Sequence, residues 1–491
     1  MSSPLNRRRF LKSAAGTGAG LLIVPARTAF TYQANERLNL ALVGVGGYAC
    51  AAHFVPALHL YENVGVAAIC DVDDRKLAPH LKLWEERARE WPASAEEKER
   101  KGAEVYQRVS AAATRPPLFR DFREMLERKD REIDAVVCST PDHTHAVVSA
   151  ASLRAGKHIL AEKPLTITVH EARALRRLAG ERKLATSMGN QGTQSGQFRR
   201  GVELIREGIL GPVEEVHVWY ARGGVAHRQQ PAGEEPVPPE LHWDLWLGPA
   251  AWRPYHSRWI ARNHWRETGI GELGNFGPHT LNLAFMGLNI ADLWQPGSQP
   301  RIRVEAEAAE INPLSFPRWE TIRWKVPARG QQPPVTITWH HGPEPKFAPG
   351  DREMLRQRVL DLGGTAEQAD SLERGTGCLV IGSKGALLTD SHNTRFALLP
   401  AERFQDVEQQ SPRTLPSSRG HYRDWLHACR GGEMPLASFD YAATFSEFLA
   451  LGSVSTRFEG ELEYDPVPGR VTHRADANQA LGYEYRSGWR L

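Results

Sequence analysis

Over the first 190 positions, short unbroken apolar runs alternate with stretches whose apolar residues recur every three or four positions. The runs at 38–43, 64–70, 133–138 and 158–161 read as strands buried on both faces. The stretches at 51–61, 146–155 and 169–181 read as amphipathic helices between them. Strand and helix in strict alternation predict a parallel, doubly wound sheet of the α/β class. The interval 75–115 breaks the rhythm. It is rich in Glu, Lys and Arg around 85–101 and reads as a solvated helical insertion, followed by a short helix over 119–128.

Length then sets the scale, because 491 residues exceed one ordinary core and predict two or three domains. Lys and Arg exceed Asp and Glu by only 3, with the signs interspersed, so no basic field points to nucleic acid. The 5 Cys show no metal spacing and no disulfide framework, so no metal is expected. Cys50, Cys70 and Cys138 lie in or beside apolar runs and read as buried small hydrophobes, whereas Cys378 and Cys429 are either paired or free. The start differs from the rest: Arg7, Arg8 and Arg9 precede Phe10-Leu11-Lys12, a weakly apolar stretch over 13–24, and Pro25-Ala26. This pattern looks like a twin-arginine export signal over 1–30, too short to span a bilayer. The mature chain is then expected to be periplasmic or otherwise exported, and free of the membrane.

The first strand runs into Gly44-Val45-Gly46-Gly47-Tyr48-Ala49, which fits G-x-G-x-x-[GA], and the second ends at Asp71, about twenty positions on. Strand, glycine turn, helix, strand and acid in that order predict a Rossmann dinucleotide site. Gly44 permits the tight turn, and Gly46 lets a pyrophosphate approach bare backbone at a helix N-terminus. Asp71 can accept hydrogen bonds from both ribose hydroxyls and repels a 2′-phosphate, which favours NAD; Arg75 nearby leaves room for NADP. Ligands in such sheets lie at the carboxyl ends of strands. Ser139, Thr140, Pro141 and His145 follow the strand at 133–138, and Glu162, Lys163 and Pro164 follow the strand at 158–161.

These residues resemble the Gfo/Idh/MocA oxidoreductases: Gly44-Val45-Gly46-Gly47, Ser139-Thr140-Pro141 with His145, and Glu162-Lys163-Pro164. The stretches 243–249, 271–282, 377–385 and 484–489 are similar to the exported bacterial branch of that family. The resemblance implies a Rossmann NAD(P)-binding domain over 36–188. It also implies a C-terminal α+β domain over 189–491, whose open, mostly antiparallel sheet covers the nicotinamide and supports a homo-oligomer. The β-branched runs at 213–220, 302–306, 322–326 and 335–339 suit that sheet, and helices at 422–429 and 441–458 are expected to pack back on the first domain.

Hydride transfer from a sugar carbon needs a hydride acceptor, a base for the hydroxyl proton and a cation for the alkoxide. Lys163 fits the cation, with Glu162 positioning it, and His279 fits the base. His279 sits in a stretch similar to the family pattern Gly-x-Leu-x-Asp-x-Gly-x-His-x-x-Asp, but both acidic positions are Asn here, Asn275 and Asn282. Asn275 is expected beside the catalytic pair and Asn282 near the substrate, with Glu267 or Glu272 replacing the missing carboxylate. Five Trp crowd 243–265, and their indoles, Trp265 among them, suit either stacking on sugar faces or interface packing. The resulting expectation is an exported NAD(P)-dependent dehydrogenase of a sugar, cyclitol or glycoside that holds and recycles its cofactor. The alternatives are redox-neutral glycoside cleavage or epimerisation, and a sugar- or nucleotide-binding protein without catalysis.

Overall fold

The computed structural model describes residues 37–46, 63–111, 115–221, 229–261, 263–297, 300–342, 350–371 and 375–491. The expected export signal over 1–30, Gly47, Tyr48, Ala49, Cys50 and the expected helix at 51–61 lie outside the described residues.

Among the described residues, six strands form the first sheet: β1 (Leu38–Val43), β2 (Val64–Cys70), β3 (Leu118–Phe119), β4 (Ala135–Cys138), β5 (His158–Ala161) and β6 (Thr186–Met188). Their order is β3-β2-β1-β4-β5-β6, all neighbours parallel. Continuous apolar sequence is what burial on two faces requires, and β4, β5 and β6 have no exposed position. The charged insertion is helical, α1 (Asp74–Glu90) and α2 (Glu97–Ser110), with Asp73 capping α1 through the Arg75 amide. Helices α3 (Phe122–Arg128), α4 (His145–Arg154) and α5 (Val169–Arg182) follow β3, β4 and β5. A Thr168–Glu171 capping box fixes the start of α5.

The second sheet contains β7 (Val213–Tyr220), β8 (Ile302–Ala308), β9 (Glu320–Val326), β10 (Val335–His341), β11 (Thr376–Gly382), β12 (Gly385–Asp390), β13 (Phe396–Leu399), β14 (Leu462–Asp465) and β15 (Arg470–Val471). It is mixed and mostly antiparallel, in the order β13-β12-β11-β7-β10-β9-β8-β14-β15, with β7 and β10 parallel. Helix α6 (Gly271–Thr280) carries the candidate base towards the first sheet. One part of the second sheet is covered rather than open. Helix α7 (Asp351–Asp361) lays Leu355 and Val359 on Trp219, Leu379 and Leu388. A polar chain adds to this contact: His340 Nδ1 lies 2.6 Å from Asp351 Oδ2, and His340 Nε2 lies 3.1 Å from His217 Nδ1.

Late in the chain come α8 (His421–Cys429) and α9 (Phe439–Ser455). Helix α9 is apolar on all sides and buried, because it packs between the two sheets. Gly452 passes so close to the Trp324 indole that a Cβ would sit 2.1 Å from it. The buried Glu447 accepts a 2.9 Å hydrogen bond from Arg173 of α5 and another from the Tyr464 hydroxyl of β14. Cys70, Cys138, Cys378 and Cys429 are all buried and free.

Candidate active site

A cleft of about 820 Å³ opens at the carboxyl ends of β1, β2, β4 and β5 and is closed on its far side by α6 and the β12–β13 turn. On the β2 side stands Asp71. Its Oδ2 accepts the Gly46 amide at 2.9 Å and its Oδ1 the Asp73 amide at 3.0 Å. Burial raises its pKa, and the surrounding amides oppose the rise. Arg75 is bound through both Nε and Nη2 to Asp73, at 2.8 and 2.7 Å, so the cations lining the cleft here are Lys76 and Arg120.

The turn after β1 depends on missing side chains. Gly44 has φ +80°, and a Cβ there would lie 2.6 Å from the Thr140 amide nitrogen and 2.7 Å from the Ser139 carbonyl carbon. A Cβ on Gly46 would meet the Lys76 side chain at 2.3 Å. Ser139 Oγ is buried with no hydrogen-bond partner among the described residues. Bare backbone, an orphaned hydroxyl and a carboxylate at the second strand end fit a dinucleotide.

The cleft brings together most of the expected residues. Gly44, Gly46, Asp71, Ser139, Thr140, Pro141, His145, Glu162, Lys163, Asn275 and His279 all line it. Four expectations change. Val45 is fully buried in the core, so its side chain does not face the cleft. His145 braces two turns instead of reaching out: its Nδ1 lies 2.7 Å from the Pro164 carbonyl oxygen and its Nε2 2.8 Å from that of Thr140. Asn282 is fully buried and accepts the Tyr441 hydroxyl at 2.6 Å, away from the lining. Trp265 is buried too, its indole N–H donating to the Arg258 carbonyl at 2.8 Å, because it packs inside an aromatic cluster with Trp243, Trp246, Trp259 and Tyr255. Of the five Trp between 243 and 265, Trp246 and Trp259 border the cleft, while Trp252 is 65 % exposed.

Lys163 is held from across the cleft. Its Nζ donates to the Asn275 backbone carbonyl at 2.7 Å and to Asn275 Oδ1 at 2.9 Å. The Asn275 amide nitrogen donates to Glu272 Oε2 at 2.9 Å, one helical turn earlier on α6. Glu272 is buried and therefore supplies a carboxylate one residue removed from Lys163. Glu267 is spent elsewhere, on Arg253 and the Ala251 amide.

His279 is buried at the cleft wall with its ring 4.5 Å from that of His392, centroid to centroid. His392 went unnoticed in the sequence. It sits in the β12–β13 turn, with Nδ1 2.8 Å from the Ser391 hydroxyl. Burial lowers its pKa; Asp390 opposes the shift and Lys163 adds to it. Gln191, Gln194, His421 and Tyr422 also line this end. The two Gln follow β6 at its carboxyl end, a position where strand order alone marks candidates. Two imidazoles beside a fixed ammonium can move a proton and steady an oxyanion.

Residues 38–190 match the Gfo/Idh/MocA description "Oxidoreductase family, NAD-binding Rossmann fold", and residues 203–328 match its C-terminal alpha/beta domain. Levoglucosan dehydrogenase of Pseudarthrobacter phenanthrenivorans is 28% identical over 198 residues, 40% of this chain and 43% of that protein. The scyllo-inositol 2-dehydrogenase (NADP(+)) IolW of Bacillus subtilis is 33% identical over 93 residues, 19% of this chain and 26% of that protein. A glycosyl hydrolase family 109 protein of Shewanella pealeana is 27% identical over 227 residues, 42% of this chain and 44% of that protein. The chain thus spans less than half the length of each of these curated relatives. Among solved structures, the WlbA dehydrogenase from Bordetella pertussis in complex with NADH and UDP-GlcNAcA shares the fold, with a TM-score of 0.51 at 15% identity over 87% of this chain and 98% of that one. Because the two family matches together cover more than half of the chain, this protein belongs to the Gfo/Idh/MocA oxidoreductases, whose first domain is an NAD-binding Rossmann fold.

Proposed function

We propose that the protein is an exported NAD-dependent oxidoreductase that oxidises a hydroxyl of a sugar, cyclitol or glycoside and holds its cofactor tightly. The observation that carries this reading is the Lys163–Asn275–Glu272 chain beside the neighbouring imidazoles of His279 and His392. The levoglucosan and scyllo-inositol dehydrogenases among its relatives support the substrate class. Asp71 supports NAD through its carboxylate. Arg7-Arg8-Arg9 ahead of a weakly apolar stretch supports export. An exported enzyme has no soluble NADH pool, which favours a resident, recycled cofactor.

A bound nicotinamide supplies the hydride acceptor. The Lys163 ammonium, fixed by two oxygens of Asn275, steadies the alkoxide as the hydroxyl proton leaves. His279 accepts that proton, with the His392 ring beside it, 4.5 Å away centroid to centroid. Trp246 and Trp259 offer flat apolar faces to the sugar ring.

Mass spectrometry of what the folded, purified protein releases on denaturation tests the reading. Stoichiometric NAD or NADH is expected. An empty protein that binds neither NAD+ nor NADP+ on titration would sink it. Lys163→Ala is expected to cut turnover roughly hundredfold or more while nucleotide binding persists; full activity in that variant would remove Lys163 from the chemistry.

A second reading draws on the paired imidazoles and the family 109 relative: transient oxidation that permits glycoside cleavage with no net redox change. It predicts product formation from an aryl glycoside without reduction of added NAD+. Product formed only in step with NADH would exclude it.

A further inference from the structure

Residues 481–491 contain no helix or strand, yet they are fastened at point after point. The His170 amide, at the start of α5, donates to the Leu481 carbonyl at 3.1 Å. The Tyr485 hydroxyl donates to Glu171 Oε1 at 2.6 Å. Arg486 donates from Nε to the Gly248 carbonyl at 2.6 Å, and its guanidinium pairs with Asp244. Arg123 on α3 donates to the Gly488 carbonyl at 3.0 Å. The segment therefore runs from α5, past the Trp-rich stretch, to α3. None of these contacts serves the chemistry at Lys163.

What the segment delivers is Trp489. Its ring lies 6.0 Å from that of Phe122, and the Arg123 guanidinium carbon sits 4.2 Å from its centroid. Trp489 is half-buried and lines the cleft together with Phe122, Arg120 and Asp71. The sheet order places this group on one side of β1: Asp71 follows β2, and Arg120 and Phe122 follow β3. Lys163 follows β5, on the other side of β1. A dinucleotide whose nicotinamide end reaches Lys163 and whose ribose reaches Asp71 directs its remaining ring, the adenine, towards Phe122 and Trp489.

We propose that Trp489 is the stacking wall for the adenine of the bound dinucleotide, and that residues 481–491 form the strap that holds it in place. This rests on the dinucleotide reading of the cleft. A purine presents a flat π-face that an indole matches, and Arg123 on the ring adds a cation–π contact that fixes the indole in place. The strap spans from the substrate-side Trp cluster to the nucleotide-side helix, so it retains the cofactor without touching the reacting atoms.

The test uses the full-length protein stripped of nucleotide and refolded, with Trp489→Ala, Trp489→Phe and Arg123→Gln compared by calorimetric titration. The ligands are NAD+ and nicotinamide mononucleotide, which lacks adenine. Trp489→Ala is expected to weaken NAD+ by about tenfold or more and to leave the mononucleotide unchanged. Trp489→Phe should keep most of the affinity, and Arg123→Gln should show a smaller loss with the same selectivity for NAD+. If Trp489→Ala fails to fold, Arg123→Gln decides by the same comparison. Unchanged NAD+ binding in Trp489→Ala or, failing that, in Arg123→Gln, or equal loss of both ligands, overturns the proposal while leaving the dinucleotide site standing. A wild-type protein that binds no NAD+ overturns both.

Discussion

Asn275 stands where the family pattern has a carboxylate, and its surroundings show what compensates. Its amide relays between the Lys163 ammonium and the buried Glu272 carboxyl group, so an acidic side chain still joins the Lys163 site, displaced by one hydrogen bond. This turns an apparent loss into a rearrangement. Putting Asp at 275 would set two carboxylates side by side in a buried place, where like charges force one to hold a proton. Asn275→Asp is therefore expected to lower kcat rather than raise it. Glu272→Gln, which removes the displaced acid, is expected to lower kcat roughly tenfold, the difference between a charge-assisted and a neutral hydrogen bond. The double variant should recover activity relative to either single change, measured as kcat at saturating substrate. Additive losses would mean that the two positions do not share one charge. Glu272 was legible in the sequence as one of two nearby acids, and only the structure separates it from Glu267, which is bound to Arg253. His392 was not legible. A hairpin turn brings it to His279, and no local spacing records a contact set by sheet packing.

At the scale of elements, the strand-end turns do the positioning. The loop after β4 lies against the turn after β1, with the Ser139–Thr140 backbone occupying the space a Gly44 side chain would need. Gly44→Ala meets both an adverse φ and this backbone, neither of which can yield cheaply. It is expected to weaken NAD+ binding at least tenfold and to lower the melting temperature, read by titration and by thermal unfolding. Wild-type affinity in a stable variant would show that the two turns separate without consequence. The four central strands of the first sheet, β1, β2, β4 and β5, were readable because parallel strands buried on both faces write themselves as unbroken apolar runs, whereas the short edge strands β3 and β6 were not. In the second sheet β7, β8, β9 and β10 were readable as strands but not in their pairing, and β11 to β15 were not read. Val213–Tyr220 and Val335–His341 lie side by side in parallel, although most of their neighbours are antiparallel. The helix Asp351–Asp361 lies over part of a face expected to be open, and the His217–His340–Asp351 chain that helps hold it links residues far apart in the sequence.

Across the whole molecule, α9 joins what the sequence divides. It packs on α5 and β6 of the first sheet and on β8 and β9 of the second, with Trp324 seated against Gly452. Its Glu447 ties Arg173 of one half to Tyr464 of the other. Burial raises the Glu447 pKa, and the Arg173 charge and the Tyr464 hydroxyl hold it down. Shared burial of this kind makes the two sheets depend on each other. Calorimetry is expected to give one unfolding transition whose calorimetric and van't Hoff enthalpies agree. Glu447→Ala should destabilise that single transition by about 1–3 kcal/mol, the cost of removing the carboxylate that pairs the half-buried Arg173 and accepts the buried Tyr464 hydroxyl. Two resolved transitions would show that the halves unfold independently.

The same tie bears on how the cleft meets its substrate. Enzymes that exclude water by closing one domain over another need the domains to move apart and together, and here Arg173, Glu447 and Tyr464 fasten α5 to the second sheet. Such a tie resists closure, so the cleft is expected to keep its outline when substrate binds. On the proposed sugar or glycoside reading, a substrate with a bulky second group is expected to exclude more water from the cleft than a small monosaccharide does. On that reading, the size of a substrate's second group, and not only the configuration of its hydroxyls, is then expected to set how dry the reaction is.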